Sequence, residues 1–385
     1  MGQARPGPYA VGMPDWFTEQ FRAEFDRQAA AIGRFNLAVF GKTGTGKSTL
    51  INAVFGADVA RTGIGEPVTQ GSHVYIDKRG TFGLIDTQGL EIGRDDDALI
   101  KDLKKTVGEM RKQPLGEQIH CAWYCVRGMD RRFEEPEARF IRALADLEVP
   151  VIVVFTQVPM RDGRFHPDAV ALARHVESLQ LPIVGGRPFM TYAMRDQFSG
   201  QPPYGLTDVL QATFRSVPEA VHAALTAAQR IDLAAKARAA QGYIGATVTA
   251  AAAAAATPIP FSSAAVLVPL QLAMMARIAQ MYGLSEQKAA MAAVATTAVA
   301  TSAGRASFTQ LLKLVPGAGQ VAGGAISAGV AGAFTFAMGQ AWLVVCQRIV
   351  GGQLPSLNGI LDSRAVQELF MEEFKKRIPG VRAKA

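Results

Sequence analysis

The residues with the clearest chemical potential form a glycine-rich run, Gly41–Ser48, that reads GKTGTGKS. Its spacing matches G-x-x-x-x-G-K-[ST], in which glycines let backbone N–H groups turn inward around phosphates. Lys47 is expected to reach the β- and γ-phosphates, and the Ser48 hydroxyl is expected to coordinate Mg²⁺. The residues expected to contact the phosphates are those of the run and its successor: Gly41, Lys42, Thr43, Gly44, Thr45, Gly46, Lys47, Ser48 and Thr49.

A phosphate loop of this kind needs a second group on the metal side, normally an aspartate at the end of a neighbouring strand. Asp86 ends a strand-like run and opens a D-x-x-G motif that closes at Gly89. We expect Asp86 to hold Mg²⁺ through a water and the Gly89 N–H to sense the γ-phosphate. Thr69 is the candidate switch threonine that closes over Mg²⁺ and the γ-phosphate, and an ordinary loop threonine is the alternative interpretation.

The elements that must position these groups alternate along residues 35–225. Short β-rich runs separated by helical patterns predict a mostly parallel sheet wrapped by helices, which is an α/β fold. The phosphate loop lies between a strand and a helix, as its motif requires. The predicted strands are Phe35–Phe40, His73–Asp77, Phe82–Asp86, Ile119–Val126, Val149–Thr156 and Pro188–Met194.

The composition changes abruptly after about residue 229. No charged residue lies between Arg238 and Arg277, and a second uncharged stretch runs from Leu314 to Gln347. We therefore expect three parts: an N-terminal amphipathic helix in 1–32, an α/β domain in 33–228, and an all-α, Ala/Gly-rich hydrophobic helical domain in 229–385.

The net charge of +7 is concentrated in residues 229–385, where 14 basic residues face 6 acidic ones. This half has no ladder of interleaved aromatic residues, so its charge fits an anionic membrane surface better than a nucleic-acid groove. Nucleic acid is the disfavoured partner. Three cysteines do not make a disulfide framework, and the start of the chain has no signal-peptide pattern, so we expect a cytoplasmic protein.

The run from Gly41 to Asn52 resembles the Era-like branch of the translation-factor-related GTPases, near the septins and the immunity-related GTPases. The resemblance covers roughly residues 33–228. It implies a six-stranded G domain that binds GTP or GDP with Mg²⁺, with Thr69 in switch I and Asp86–Gly89 opening switch II. The third loop position, Thr43, is glycine in Ras-type loops but varies in this branch.

Two departures from the family pattern bear on activity. Leu90 stands where many small GTPases carry the glutamine that orients the attacking water, so slow intrinsic hydrolysis is the hypothesis. The guanine motif [N/T]-K-x-D reads Thr156-Gln157-Val158-Pro159, so the lysine and the aspartate are missing. Asp162 would reach the base only if the loop bulges, and the Ala193 N–H is the candidate contact to guanine O6. ATP or mixed nucleotide use is the alternative.

An arginine after the strand that ends at Val126 could act as a finger across a G-domain homodimer. The candidates are Arg127, Arg131 and Arg132. The alternative is that these arginines solvate a loop and pair with Glu134, Glu135 and Glu137.

The C-terminal half resembles a hydrophobic helical domain of unknown function that is fused behind Era-like GTPases in bacteria. The segments Thr257–Phe261 and Leu270–Gly283 carry this resemblance, which implies membrane association. Val321–Gln347 is uncharged and long enough to span a bilayer, with Trp342 and Arg348 as candidate interface anchors. A tightly packed soluble bundle over residues 257–347 is the alternative. Pro269 interrupts a shorter apolar segment, which is either interfacial or a core helix ending at Arg277.

These features predict a GTPase whose Mg·GTP state orders the switch residues and alters a helical domain, in the cytoplasm or at the cytoplasmic membrane. The residues expected to carry hydrolysis are Lys47, Thr69 and Gly89, with Ser48, Thr69 and Asp86 on the metal side. The alternatives are a membrane-associated scaffold that binds nucleotide with little turnover, and an NTPase of relaxed base specificity.

Overall fold

The computed structural model describes residues 15–56, 65–69, 72–77, 79–86, 96–196, 200–256, 263–298, 328–357 and 360–378. The described chain divides into two compact units. One is Ile32–Leu233, and the other consists of the described residues before and after it.

The first unit is built on a sheet in the order β2-β3-β4-β1-β5-β6-β9. The pairs from β4 through β1, β5 and β6 to β9 are parallel, and β2-β3-β4 is antiparallel. β7 and β8 form a separate two-stranded hairpin. The strands are β1 (Phe35–Phe40), β2 (Gly65–Thr69), β3 (Ser72–Ile76), β4 (Phe82–Asp86), β5 (Cys121–Arg127), β6 (Val151–Thr156), β7 (Met160–Arg161), β8 (Arg164–Phe165) and β9 (Phe189–Met190).

Helices cover both faces of this sheet. They are α2 (Lys47–Phe55), α3 (Asp96–Met110), α4 (Glu135–Asp146), α5 (Pro167–Ser178), α6 (Leu206–Ser216) and α7 (His222–Ala228).

Alternation along the central strands explains why the sheet is buried on both sides. Along β1, Leu37 and Val39 enter the core beneath α2 and α6, whereas Ala38 and Phe40 enter the core beneath α3 and α4. Successive side chains of a strand point to opposite faces, so an unbroken apolar run suits a strand covered twice. The predicted mostly parallel α/β sheet followed by a helical region is confirmed. Beyond the six expected strands, the described sheet has an additional edge strand, β2, that precedes β3.

The second unit is helical and has its own apolar core. Its helices are α1 (Asp15–Ile32), α8 (Leu233–Ala256), α9 (Ser263–Met281), α10 (Glu286–Ala298), α11 (Ala328–Val350) and α12 (Ser363–Arg377), with short strands β10 (Ser356–Leu357) and β11 (Ile360–Leu361). Phe17, Phe21 and Phe25 of α1 belong to this core, so the N-terminal helix packs with the helical unit. α9 continues through Pro269 and Arg277 to Met281, so the apolar segment is one helix and does not end at Arg277.

α11 is the one helix of the described residues that is long and apolar enough to cross a membrane. In this structure 78% of its most apolar stretch is buried. Trp342 is fully buried, and its indole N–H donates to the carbonyl of Met275 at 2.8 Å. Trp342 therefore does not act as an interface anchor in this arrangement, because its whole ring is packed in the core of the helical unit.

Candidate nucleotide-binding site

The glycine-rich loop joins the carboxyl end of β1 to the amino end of α2. Gly41, Gly44 and Gly46 all have positive φ, at 130°, 81° and 82°. At Gly41 an added Cβ would lie 2.1 Å from the carbonyl oxygen of Cys125 in β5, so the loop passes too close to the sheet for any side chain. The loop leads directly into α2, whose positive N-terminal end favours an anion.

The side chain of Lys47, the lysine of the motif, folds back over its own loop. The Lys47 ammonium donates to the carbonyls of Gly41, at 2.6 Å, and Lys42, at 3.0 Å. Thr45 is buried and closes the loop from the other side, with its hydroxyl donating to the Lys42 carbonyl at 2.8 Å. The side chains of Thr43 and Ser48 are exposed at the loop surface. The loop is therefore internally tied, with its cation held where phosphates would bind.

The side chain of Lys42 is paired with the start of α4. Its ammonium bonds to the carboxylate of Glu134 at 2.8 Å and lies 3.7 Å from that of Glu137, both at the start of α4. Although partial burial lowers the pKa of Lys42, these two carboxylates raise it overall. Burial raises the pKa of Glu137, whose carboxylate accepts the Glu134 backbone N–H in a capping box.

The end of β6 is attached to the phosphate loop through two side chains. The hydroxyl of the buried Thr156 donates to the carbonyl of Thr45. Gln157, with φ of 53°, donates from Nε2 to the carbonyl of Gly44 at 3.3 Å. Gln157 therefore bridges to the loop from the position where the family pattern has its lysine.

A cavity of about 430 Å³ opens beside the loop and brings together several predicted site residues. Gly46 and Thr49 line it from the start of α2, Thr156 and Gln157 from the end of β6, and residues 192–196 from the loop after β9. Ala193, the candidate base contact, is among them. Ligands of open parallel sheets bind outside the carboxyl ends of the strands, which is where this cavity lies.

Asp162, which was expected to reach the base only if the loop after β6 bulges, does not line this cavity, because this stretch forms the β7–β8 hairpin instead. It sits with Gly163 at the tip of the β7–β8 hairpin, where both residues have positive φ. Its side chain is 90% exposed and lies near Arg161. The physical reason is local, because Asp-Gly is a preferred two-residue hairpin turn and folds this stretch back on itself.

The backbone positions of two metal-side candidates, Thr69 and Asp86, lie at the edge of the sheet where the phosphate loop begins. Asp86 ends β4, the strand that pairs directly with β1. Thr69 ends β2, and the register pairs Thr69 with Ser72 and His73 with Asp86, so Thr69 and Asp86 end at the same edge of the sheet as Gly41. The side chains of Thr69 and Asp86, and all of Gly89 and Leu90, lie outside the described residues.

Arg131, one of the three arginine candidates for a finger, forms an ion pair within the G domain. Arg131 donates to the carboxylate of Asp168 at 2.6 Å and 2.8 Å, so it pairs with α5. Glu134 pairs with Lys42 of the phosphate loop, and Glu135 pairs with Arg142 of α4. The charge of Arg132 also helps to lower the pKa of Glu134, after the larger effect of Lys42.

Residues 36–157 match the sequence model of the 50S ribosome-binding GTPase family. This stretch holds the loop, β1 to β6 and the tie through Thr156. This stretch has the fold of a GTPase G domain. The chain is also 29% identical over 155 residues to magnetosome membrane protein 22 of Magnetospirillum gryphiswaldense, a match that covers 39% of this chain and 76% of that protein.

Two solved structures resemble the G domain distantly. One is a dimerisation-deficient variant of Toc33 from Arabidopsis thaliana, with 16% identity and a TM-score of 0.33 over 52% of this chain and 91% of that one. The other is the small COPII coat GTPase SAR1 from Encephalitozoon cuniculi in complex with GDP, with 14% identity and a TM-score of 0.27 over 55% and 90%. Neither likeness bears on what this chain does.

The cavity also contains two residues that the sequence did not single out, Arg195 and Asp196. They follow the predicted base contact at Ala193 by two and three positions. No motif marks them, because their place at the G-domain cavity depends on how the loop after β9 is folded.

Proposed function

We propose that this protein is a guanine-nucleotide-binding switch, in which Mg²⁺-dependent and slow GTP hydrolysis in the G domain controls the helical domain. The observation that carries the proposal is the cavity that continues from the start of α2 to the loop after β9. It offers phosphate-binding groups at one end and polar groups for a base at the other. Ser48, Thr69 and Asp86 would hold Mg²⁺, which supplies charge neutralisation at the β- and γ-phosphates.

The residues of the loop would act mainly by binding and orienting. Lys47 would transfer its hydrogen bonds from the loop carbonyls to phosphate oxygens, a charge-assisted exchange that favours the nucleotide. Leu90 offers no hydrogen-bonding group for the attacking water, which supports slow hydrolysis. A second G domain in a homodimer would supply a group that positions the attacking water, and the proposal includes this pairing.

The experiment is a titration of the full chain with fluorescent GTP, GDP and ATP in Mg²⁺ and in EDTA, followed by single-turnover hydrolysis. Lys47→Ala should abolish binding, whereas Lys105→Ala, which removes an exposed lysine from α3, should leave it unchanged. Unchanged nucleotide affinity in Lys47→Ala would refute the site. Unassisted hydrolysis as fast as that of Ras-type GTPases, of order 10⁻⁴ s⁻¹, would refute the slow-hydrolysis part.

A location at the cytoplasmic membrane belongs to the same proposal. Its support is the relative that is a magnetosome membrane protein, together with the apolar helix α11 and the basic excess of residues 229–385. Flotation of the full chain with anionic vesicles, with and without GTP, tests it.

A second candidate is a membrane-associated scaffold that binds nucleotide with little turnover. The substitution at Leu90 favours it. Multiple-turnover phosphate release separates the two functions, because a scaffold would bind GTP without sustained release.

A further inference from the structure

We propose that Asp196 reads the base in the G-domain cavity and selects guanine, in place of the aspartate that the loop after β6 lacks. This inference rests on the proposed function, because it assigns a specificity-determining residue to the same site. Neither the family match nor the sequence motifs mark this position.

The first step is the loss of a base reader after β6. Pro159 occupies the family's aspartate position and has no side-chain hydrogen-bonding group. The chain then turns into the β7–β8 hairpin, which carries Asp162 away from the cavity. The ring of Phe165 stacks on that of Tyr204 at 5.9 Å, and the Tyr204 hydroxyl donates to the carbonyl of Val158. These contacts hold the hairpin in a position that keeps Asp162 outside the cavity.

The second step is the place of Asp196 along the sheet. β9 lies three strand positions from β1, or about 14 Å at a spacing of about 4.8 Å. The loop after β9 therefore meets the end of a bound nucleotide that is distant from the phosphates. A carboxylate at that end is far enough from the negatively charged phosphates to repel them little, whereas a carboxylate beside Lys47 would weaken phosphate binding.

The third step is that the backbone holds Asp196 in place. Its N–H donates to the carbonyl of Gln201 at 2.9 Å, and its carbonyl accepts the N–H of Gly200 at 2.8 Å. Arg195 donates from Nε to the carbonyl of Gly200 at 3.2 Å, and Tyr192 forms an antiparallel bridge with Tyr204. Because the backbone of Asp196 is held at both its N–H and its carbonyl, this residue loses less conformational entropy when a ligand binds.

The fourth step is chemical complementarity. Among the described residues that line the cavity, Asp196 carries the only carboxylate. An ionised carboxylate only accepts hydrogen bonds. Guanine presents two adjacent donors, N1–H and the 2-amino group, whereas adenine presents an acceptor at N1. The carboxylate therefore matches guanine and opposes adenine.

The test uses the full chain and measures displacement of a fluorescent GDP analogue by GDP, ADP and xanthosine diphosphate, with Mg²⁺ present. Xanthine has a carbonyl at C2, so an amide donor suits it better than a carboxylate. Asp196→Asn should weaken GDP at least tenfold, about 1.4 kcal/mol. It should strengthen xanthosine diphosphate and ADP, because an amide N–H pairs with the acceptors that a carboxylate opposes. Asp208→Asn, at an exposed position of α6, is the matched control and should behave as wild type.

Three results would overturn the inference while leaving nucleotide binding intact. Asp196→Asn could retain the wild-type preference for GDP, or Asp162→Asn could lose that preference instead. Asp196→Asn could also weaken all three nucleotides equally, which would mean that the residue supports the loop and does not read the base. A wild-type chain that binds no nucleotide would refute the proposed function itself, and the inference with it.

Discussion

Gly41→Ala should damage the G domain far more than the same change at Gly44, three residues later in the same loop. An alanine Cβ at residue 41 would lie 2.1 Å from the carbonyl oxygen of Cys125, where ordinary contacts begin near 3.4 Å. The loop or β5 would have to move by about 1.3 Å, and overpacking of this kind costs about 1–3 kcal/mol. The φ of 130° adds about 1–3 kcal/mol of strain for a residue with a Cβ.

The expected loss for Gly41→Ala is therefore about 2–6 kcal/mol, a large part of a typical total of about 5–15 kcal/mol. Gly44 has φ of 81° and no atom within 4 Å of the position of an added Cβ. Its substitution should cost only the left-handed backbone penalty of about 1–2 kcal/mol. Gly44→Ala is thus a control that has the strain without the collision.

The assay is urea unfolding followed by the fluorescence of Trp123, which is fully buried in the G domain. Trp16 and Trp342 lie in the other unit, so both are replaced by phenylalanine in every variant, and the signal reports the G domain alone. Fluorescent GDP binding is measured on the same samples. If the two alanine variants unfold within 1 kcal/mol of each other, the collision with β5 does not occur and the reasoning about the loop path is wrong.

Three further substitutions test the other contacts. Thr156→Val leaves the carbonyl of Thr45 without its buried donor, so we expect a loss of about 1–3 kcal/mol in unfolding free energy and weaker nucleotide binding. Burial raises the pKa of Glu137, so the folded protein keeps a proton that the unfolded chain loses above its ordinary pKa of 4.5, and stability falls as pH rises through that window. The melting temperature of Glu137→Gln, compared with that of the wild type, should therefore rise as the pH is raised from about 4.5 to 7. Phe334→Ala empties a buried site in the helical unit and should cost about 3–5 kcal/mol in chemical denaturation.

Each of these has a matched control. Thr213→Val removes a buried hydroxyl that donates to the Val209 carbonyl at 2.9 Å and accepts the indole N–H of Trp123 at 3.0 Å. Because this site is away from the cavity, stability measured by circular dichroism should fall with nucleotide affinity unchanged. Glu135→Gln, at an exposed neighbour of Glu137, should show no growing advantage with pH. Phe336→Ala, whose ring is 43% exposed, should cost well under half as much as Phe334→Ala. Equal effects within any pair would contradict the contact that the pair isolates.

The sheet and the phosphate loop were predictable because their signals are local. Phe35–Phe40 is an unbroken apolar run, and such a run followed by a glycine-rich turn and a helical pattern has few other ways to bury itself. β6 and the position of Asp86 at the end of β4 were predicted for the same reason. The extra edge strand β2 was missed, because Gly65–Thr69 contains a proline and reads as a loop.

The base end of the cavity was less predictable, for two different reasons. Asp162-Gly163 is a strong turn sequence, and the turn places Asp162 at a hairpin tip and not beside the base. Asp196 carried no signal at all. Its place in the cavity depends on the bridge between Tyr192 and Tyr204, which are distant enough in sequence that no local pattern reports their pairing.

The helical unit shows why an uncharged run predicts burial without saying in what. Trp342 and Phe334 of α11 are fully buried, and Phe334 packs edge-on against Phe374 of α12 at 5.4 Å. Gly332 lies close to Val248 of α8, and Gly339 lies close to Ile244 of the same helix, so these two glycines of α11 serve packing inside the unit. One helix face cannot contact both this core and lipid acyl chains. A lipid contact by α11 in this arrangement must therefore use its remaining face, where Phe336 is exposed, and Phe336→Ala should then lower vesicle binding while Phe334→Ala lowers stability.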